Sequence, residues 1–328
     1  CRAIGFDHVL DTNFSADLTV MEEAHELQNR IMKGGDLPQF TSCCPAWVKY
    51  VEIYYPSLVK HLSTTRSPNI MQGTLVKSYF AKRKGIDPRN IFHVAVTPCT
   101  AKKYEITREE LKSDGIPVID ISLTTNELAM MLKSRKIELA NQTGKYDTLM
   151  GSASGGGIIF GNSGGVMRAA IRTVHYNITG KNPSADLLDL KQIQGLNGLK
   201  EAAVKIGNVS LNVAVCYEMR NAKPLLDQVM SGSCKYDFIE VMACPGGCVA
   251  GAGQHANSKI IEKRLMALNA ADEEAATRFS HENPEIKLLY KKFLGKVGSK
   301  KAEYYLHTTY NNKSLLLNPA LVEEPAAI

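Results

Sequence analysis

The sequence predicts an α/β protein with two lobes of mainly parallel, twisted sheet flanked by helices. Short apolar runs alternate with amphipathic stretches along the chain, and two cysteine-bearing loops directly follow such apolar runs. Alternation of this kind is typical of parallel strands joined by crossover helices. The 328 residues are enough for one large lobe or two modest ones.

Composition narrows the class of protein. A hydrophobic fraction of 44% and a charged fraction of 22% are ordinary for a folded domain, and the sequence has no apolar run long enough to span a membrane. The net charge of +6 is mild and allows an acidic partner to dock. Eight cysteines in a chain of this length favour metal binding or catalysis over a disulfide framework. No signal-like start is visible, and we expect a cytoplasmic protein.

The first long helix is predicted over residues 16–33, with Ser15 as its N-cap and the following glycine pair as its end. At about 100° per residue, Glu23, Glu26 and Arg30 lie together on the flank of the apolar face. That face is formed by Val20, Ala24, Leu27 and Ile31. From the residues alone, the simpler interpretation is an i,i+4 salt bridge between Glu26 and Arg30 on an exposed surface.

Four apolar runs are predicted to be buried strands. They are "IFHVAV" (91–96), "PVIDIS" (117–122), "LNVAVC" (211–216) and "YDFIEVMA" (236–243). Thr124 and Glu127 form a capping box that opens a helix after the second strand. The glycine-rich stretch at 151–171 permits close backbone approach to a bulky group, but it fits neither of the usual phosphate-binding patterns.

Three cysteine loops form the strongest pattern. The first, "TSCCPAW" (41–47), sets two cysteines side by side, a spacing that rarely suits a mutual disulfide. One of the two therefore has a task other than ligation. The second, "TPCTAKK", follows the strand that ends at Val96, and the third, "MACPGGCVAGAGQ", follows the strand that ends near Met242. The carboxyl ends of parallel strands are where α/β folds build their sites.

Four thiolates are available from these loops: Cys99, Cys244, Cys248 and one of the first pair. Four cysteines are the ligand set of a cubane iron–sulfur cluster. Zinc is the alternative, although it usually draws on two C-x2-C pairs, which this sequence lacks. Because the ligands lie on separate loops far apart in sequence, we favour a cluster between the lobes. Cys216 ends an apolar strand and is expected to be a buried, inert residue.

Together the three loops resemble the signatures of the iron-only (FeFe) hydrogenases. The matching segments are "TSCCPAW" (41–47), "TPCTAKKYE" (97–105) and "FIEVMACPGGCVAGAGQ" (238–254). The resemblance implies a catalytic domain with an H-cluster, in which a 4Fe-4S cubane is linked through a cysteine sulfur to a two-iron centre with carbon monoxide, cyanide and dithiolate ligands. It also implies reversible reduction of protons to H2 with electrons from ferredoxin or a similar acidic carrier.

The resemblance assigns roles position by position. The implied cubane ligands are Cys44, Cys99, Cys244 and Cys248, and Cys248 would also bridge to the two-iron centre. Cys43 would relay protons, and the path to the surface would continue through Glu23, Ser63, Glu26 and Arg30. Lys102, which on the residues alone would be an exposed loop charge, would bind a cyanide ligand. The implied pocket residues are Pro68, Phe160, Gly161 and Met242.

The chain also departs from the family pattern at Thr97, Asn69, Ala46 and the segment 250–255, which indicates a less-studied subgroup. The family's domain begins further upstream, so the resemblance implies an N-terminally truncated catalytic domain over 1–284. A helical belt over 285–328 resembles the hydrogenase small subunit. Its lysine run is expected to be a solvated helix face, formed by Lys287, Lys291, Lys292, Lys296, Lys300 and Lys301.

Two other functions remain open at this stage. Related iron–sulfur assembly proteins share the fold without making hydrogen, but they lack the full set of relay and cyanide-binding residues that this chain has. A low-turnover H2 sensor is the second alternative. Maturation proteins are expected partners, and no nucleic acid partner or membrane span is expected.

Overall fold

The computed structural model describes residues 1–139, 142–147, 150–184, 187–192 and 198–317. The α-helices in these ranges are α1 (Asn13–Lys33), α2 (Pro45–Tyr54), α3 (Pro68–Leu75), α4 (Ala81–Lys84), α5 (Ala101–Glu105), α6 (Thr125–Ser134), α7 (Gly155–Ile158), α8 (Gly165–Thr179), α9 (Ala222–Met230), α10 (Ser258–Glu273), α11 (Pro284–Leu289) and α12 (Lys300–Leu306). The strands are β1 (Gln39–Phe40), β2 (Val94–Thr97), β3 (Ile121–Thr124), β4 (Lys191–Gln192), β5 (Leu199–Ile206), β6 (Val209–Tyr217) and β7 (Phe238–Met242). Within the described residues, none of the helices combines the length and apolar character that crossing a bilayer requires.

The described residues form two sheets. The larger has the order β1-β7-β6-β5-β4, and the smaller pairs β2 with β3. The predicted strands pair in parallel, as expected: β2 with β3, and β6 with β7. Strand β1, which was not predicted, also pairs in parallel with β7. The larger sheet is nevertheless mixed, because β5 and β6 form an antiparallel hairpin and β4 pairs antiparallel with β5. Gly207, at φ +59°, lies in the short hairpin turn, a backbone conformation that glycine adopts readily.

Most predicted elements are present with shifted ends. The first two predicted strands begin later than expected, because the backbone N–H of His93 bonds the side chain of Asp120 (2.6 Å) before the ladder starts. The capping box of Thr124 and Glu127 is confirmed. The N-cap prediction was wrong: α1 begins earlier, after Thr12, and the fully buried Ser15 donates its hydroxyl to Gln72 inside the protein.

Helix α1 lies at the centre of the fold and contacts three separate apolar clusters. One face, with Ala24 and Leu27, packs on α8 and the larger sheet. A second, with Phe14 and Leu18, packs on α3, α11 and α12. The third cluster joins Ala16 and Val20 of α1 to Cys43. The C-terminal belt therefore covers one side of α1, and the first cysteine loop contacts another. The six lysines of the belt are exposed, as expected, and its predicted last residues, 318–328, lie outside the described part of the chain.

Candidate metal centre and active site

The two adjacent cysteines lie on different sides of their loop. Strand β1 ends at Phe40, and α2 begins at Pro45 with Cys44 as its N-cap residue in an extended conformation. Cys43 is buried in an apolar cluster with Phe160 and Met242. Cys44 instead packs against the cluster that contains Trp47. Successive side chains in extended backbone point to opposite sides, which separates the environments of the two thiols.

The other two cysteine loops are fastened to their neighbours through glycines. Gly247, at φ +96°, lies so close to the glycine-rich segment that a Cβ there would be 2.6 Å from the backbone nitrogen of Ser163. Ser163 in turn donates its N–H to the carbonyl of Gly246 at 3.0 Å. Gly253 donates to the carbonyl of Pro98 at 2.7 Å, which ties the loop after Cys248 to the loop that carries Cys99.

The four predicted ligand cysteines are electrostatic neighbours. Burial raises the pKa of the Cys44 thiol, and the neighbouring Cys99 adds to the rise, although the backbone N–H groups of Trp47 and Ala243 oppose it. Burial, then Cys44 and Cys99, raise the pKa of both Cys244 and Cys248. Across the described ranges, no three His, Cys, Asp or Glu side chains close on a single metal ion. The four thiols thus lie near enough to interact electrostatically without converging on one point.

Cys248 lines a cavity of about 310 Å³, which explains why its side chain is exposed although protein surrounds it. Pro98, Gly161 and Val249 line the same cavity. Two of the predicted pocket residues, Phe160 and Met242, pack with Cys43. Pro68 begins α3, and its place at the pocket stays a prediction.

Lys102 is largely buried, so the interpretation of it as an exposed loop charge was wrong. Its side chain is 11% exposed, and its Nζ lies 2.9 Å from both carboxylate oxygens of Glu105 and 3.1 Å from the carbonyl oxygen of Cys43. Burial lowers the pKa of the ammonium, but Glu105, Cys99 and Cys43 outweigh this and the net shift is upward. Lys102 therefore remains a cation beside the cysteine loops.

Glu23, Glu26 and Arg30 form a row of polar side chains along α1 that runs from the interior towards the surface. Glu23 is 1% exposed, whereas the side chains of Glu26 and Arg30 are 13% and 12% exposed. The i,i+4 pair between Glu26 and Arg30 forms at 2.6 Å, but it is largely buried and not on an exposed face. The hydroxyl of Ser63 donates to Glu26 at 2.8 Å.

Glu23 is an unpartnered buried acid. By distance and angle, neither of its carboxylate oxygens has a hydrogen-bond partner in the described part of the chain. Ser63 lies close enough to lower the Glu23 pKa slightly, but its hydroxyl bonds Glu26 at 2.8 Å. Burial raises the Glu23 pKa well above its ordinary value, and the charges of Glu26 and Glu240 raise it further. Burial likewise raises the pKa of Cys43, with Glu23 as the next contribution. A thiol and a carboxyl group that both favour their protonated forms therefore lie side by side.

Sequence reasoning missed Glu105 and Glu240. Glu105 follows Lys102 by three residues on a helix, a spacing that brings side chains together and could have been recognised. Glu240 lies in β7 and accepts the N–H groups of Gly164 and Met167 at the start of α8, at 2.6 and 2.7 Å. Burial raises its pKa to about 7. No sequence pattern marks that contact, because its partners are about seventy residues away in the chain.

Comparison with known proteins finds that the chain is similar to iron-only hydrogenases. The family described as "Iron only hydrogenase large subunit, C-terminal domain" matches residues 1–252, and "Iron hydrogenase small subunit" matches residues 258–313. The chain is 44% identical to iron hydrogenase 1 of Clostridium pasteurianum over 94% of its own length and 55% of that protein's. It is 49% identical to the periplasmic [Fe] hydrogenase large subunit of Nitratidesulfovibrio vulgaris, over 80% of this chain and 62% of the other. The chain thus spans between about half and two thirds of the length of these relatives.

Solved structures agree with the sequence comparison. An [FeFe]-hydrogenase from Chlamydomonas reinhardtii superposes with a TM-score of 0.85 at 38% identity, covering 95% of this chain and 86% of the other. A cytosolic Fe-S cluster assembly factor from Xenopus tropicalis is more distant, at 32% identity over 94% of this chain and 67% of the other.

Proposed function

Because the chain belongs to the iron-only hydrogenase family, we propose that it catalyses the reversible reduction of protons to H2. The observation that carries the proposal is the separation of Cys43 from Cys44. The Cys44 thiol is an electrostatic neighbour of Cys99, whereas Cys43 lies in a different cluster, where burial and then the unpartnered Glu23 carboxyl group raise its pKa. A ligand and a proton carrier are the two tasks that a hydrogenase needs at this point.

Four cysteines, Cys44, Cys99, Cys244 and Cys248, would hold the 4Fe-4S part of the H-cluster. The donor set suits it, because the four thiols on three loops are electrostatic neighbours, and the cavity beside Cys248 would give room for the two-iron part. When bound, the cluster supplies the electrons and the metal site at which protons and H2 interconvert. Lys102 would present its ammonium to an anionic ligand of the two-iron part, since an ammonium has three donors and prefers an anionic acceptor.

The chain's own residues would move the protons. A thiol exchanges a proton near neutral pH far more readily than a hydroxyl does. Cys43 would pass protons to Glu23, and Ser63 and Glu26 would carry them towards the surface. Arg30, which stays charged, would hold Glu26 in place at the outer end of the path. The burial of Glu23 and Ser63, the partial exposure of Glu26 and Arg30, and the Ser63–Glu26–Arg30 contacts support this order. Rotation of the unpartnered Glu23 carboxyl group would close the remaining gaps.

The experiment is anaerobic reconstitution with a synthetic two-iron precursor, followed by infrared spectroscopy and an H2 assay. Bands of metal-bound carbon monoxide and cyanide together with H2 turnover are expected. A cubane signal without those bands would contradict the proposal and favour an assembly-factor function. The matched control is Cys248→Ser, which should prevent stable binding of the two-iron part.

Partners, domain boundary and location are further parts of the proposal. We propose an acidic ferredoxin-like carrier as electron donor, supported by the net charge of +6, and maturation proteins as transient partners. The catalytic part would cover 1–284 and the belt 285–328. A cytoplasmic location is supported by eight unpaired cysteines, and cell fractionation would test it against the periplasmic location of one relative.

The two alternative functions have less support. Assembly factors match at lower identity than the hydrogenases do, and Cys43, Lys102, Glu23, Glu26 and Ser63 are all present here. A sensor would show the same infrared bands but slow turnover, so the H2 assay on the reconstituted protein separates it from the proposed enzyme.

A further inference from the structure

A hydrogen-bonded branch leaves the row at Glu26 and ends in the C-terminal belt. The Thr64 hydroxyl oxygen lies 3.2 Å from Glu26 Oε2 and 2.7 Å from His307 Nδ1. On the other side of the imidazole ring, Nε2 lies 3.1 Å from Glu22 Oε2. Neither Thr64 nor His307 has a role in the proton path proposed above.

Glu22 fixes the tautomer of His307. Its side chain is fully buried and accepts the hydroxyl of Tyr290 and the backbone N–H of Gly298. Burial and the Glu22 charge raise the Tyr290 pKa well above its ordinary value, so that hydroxyl stays a donor. A carboxylate can only accept hydrogen bonds. Neutral His307 must therefore carry its proton on Nε2, which leaves Nδ1 as an acceptor.

Thr64 has one hydroxyl hydrogen and two acceptors within reach. When His307 is neutral, the shorter contact directs that hydrogen to Nδ1. When His307 takes up a second proton, Nδ1–H donates to the Thr64 oxygen, and the hydroxyl hydrogen turns to Glu26. Glu26 then gains a donor beyond those it already has from Arg30, Ser63 and the Thr64 backbone N–H.

We propose that His307 sets the ionisation of Glu26 through the Thr64 hydroxyl and thereby controls proton transfer along the row. Protonated His307 favours the Glu26 carboxylate, because an added donor stabilises the charged form. Neutral His307 withdraws that donor. The belt thereby couples the charge of His307 to the row through one hydroxyl group. The link to turnover rests on the proposed function, whereas the link between His307 and Glu26 does not.

Other charged groups around His307 engage atoms other than its ring nitrogens. Arg66 Nε donates to the backbone carbonyl of His307 at 2.9 Å, and the His307 backbone N–H bonds the carbonyl of Glu303 at 3.0 Å. Arg30 bonds Glu26, and Tyr290 bonds Glu22. Each therefore acts on the His307 ring only through that neighbour. His25 lies against Gly298, and its Nε2 pairs with the side chain of Asn29. In the described part of the chain, the ring therefore contacts Glu22 and Thr64.

The first test reads the His307 tautomer directly by nitrogen NMR of the histidine rings in the intact chain, with His307→Gln used only to assign the signal. The neutral ring is expected to carry its proton on Nε2 and to have an unprotonated Nδ1. A neutral ring protonated on Nδ1 would overturn the proposal. This measurement needs no turnover, so it stands even if the chain proves to have no hydrogenase activity.

The second test compares Thr64→Val with Thr64→Ser in the reconstituted protein. Valine keeps the shape and the backbone N–H but removes the hydroxyl, and serine keeps the hydroxyl. The acid limb of the turnover–pH profile is expected to move upward by about one pH unit in Thr64→Val, because a charged acceptor loses a donor. Thr64→Ser should restore the original profile. A uniform loss of rate with an unmoved limb would indicate a structural role alone and would overturn the proposal.

Discussion

Replacing Glu23 by glutamine tests the electrostatics at the inner end of the row. In an unfolded chain a glutamate titrates at about pH 4.3. In the folded protein, burial and then Glu26 and Glu240 raise the pKa of Glu23 well above that value. Between these two pKa values the folded chain holds a proton that the unfolded chain has released. Unfolding then releases a proton, so the free energy of unfolding falls as the pH rises.

The magnitude follows from the transfer of one proton. The Glu23 contribution to the free energy of unfolding can fall by at most about 1.4 kcal/mol for each pH unit. Glutamine does not titrate, and it breaks no hydrogen bond, because neither carboxylate oxygen has a partner in the described residues. Any cost of burying the amide is independent of pH. The stability of Glu23→Gln relative to the original chain should therefore increase steadily from about pH 5 toward neutrality.

Urea denaturation at several pH values provides the assay, with all chains prepared at the same iron content. Glu262→Gln is the matched control, because Glu262 is exposed on α10 and the same substitution there removes one carboxylate without changing a buried site. A difference between Glu23→Gln and the original chain that stays constant over the whole pH range would refute the reasoning.

Three further predictions concern the metal centre. Gly247→Ala should lower the iron content on reconstitution, because the new Cβ would meet the Ser163 backbone. In addition, the φ of +96° costs a non-glycine residue about 1–3 kcal/mol. An unchanged iron content would show that the loop can move. Glu105→Gln removes the carboxylate that pairs with Lys102 and should lower the free energy of unfolding in urea by about 3–5 kcal/mol, because the ammonium loses its partner. The double variant Lys102→Met plus Glu105→Gln should recover part of that loss. An equal loss in the double variant would contradict a buried pair. Cys43→Ser should keep the infrared bands of the bound cofactor and reduce H2 turnover by roughly a hundredfold or more, and full turnover in that variant would rule out the thiol relay.

Local patterns determined much of the secondary structure. The capping box at Thr124 and the four apolar runs depend on neighbours within a few residues, so they could be read directly. The hairpin of β5 and β6 was missed because β5 alternates weakly and its pairing is set by a turn that was not recognised. Ser15 failed as an N-cap since its partner, Gln72, lies on another helix.

The sequence by itself determined the family, the spacing of the cysteine loops and the helical register of Glu23, Glu26 and Arg30. Only the tertiary structure decided that Cys43 and Cys44 lie in different clusters, that Lys102 is buried against Glu105, and that the belt reaches the row through His307. The reason is physical. Residue type and spacing fix which groups can share a helix face or a loop, whereas burial and the partners of a charge depend on segments that are brought together only by folding.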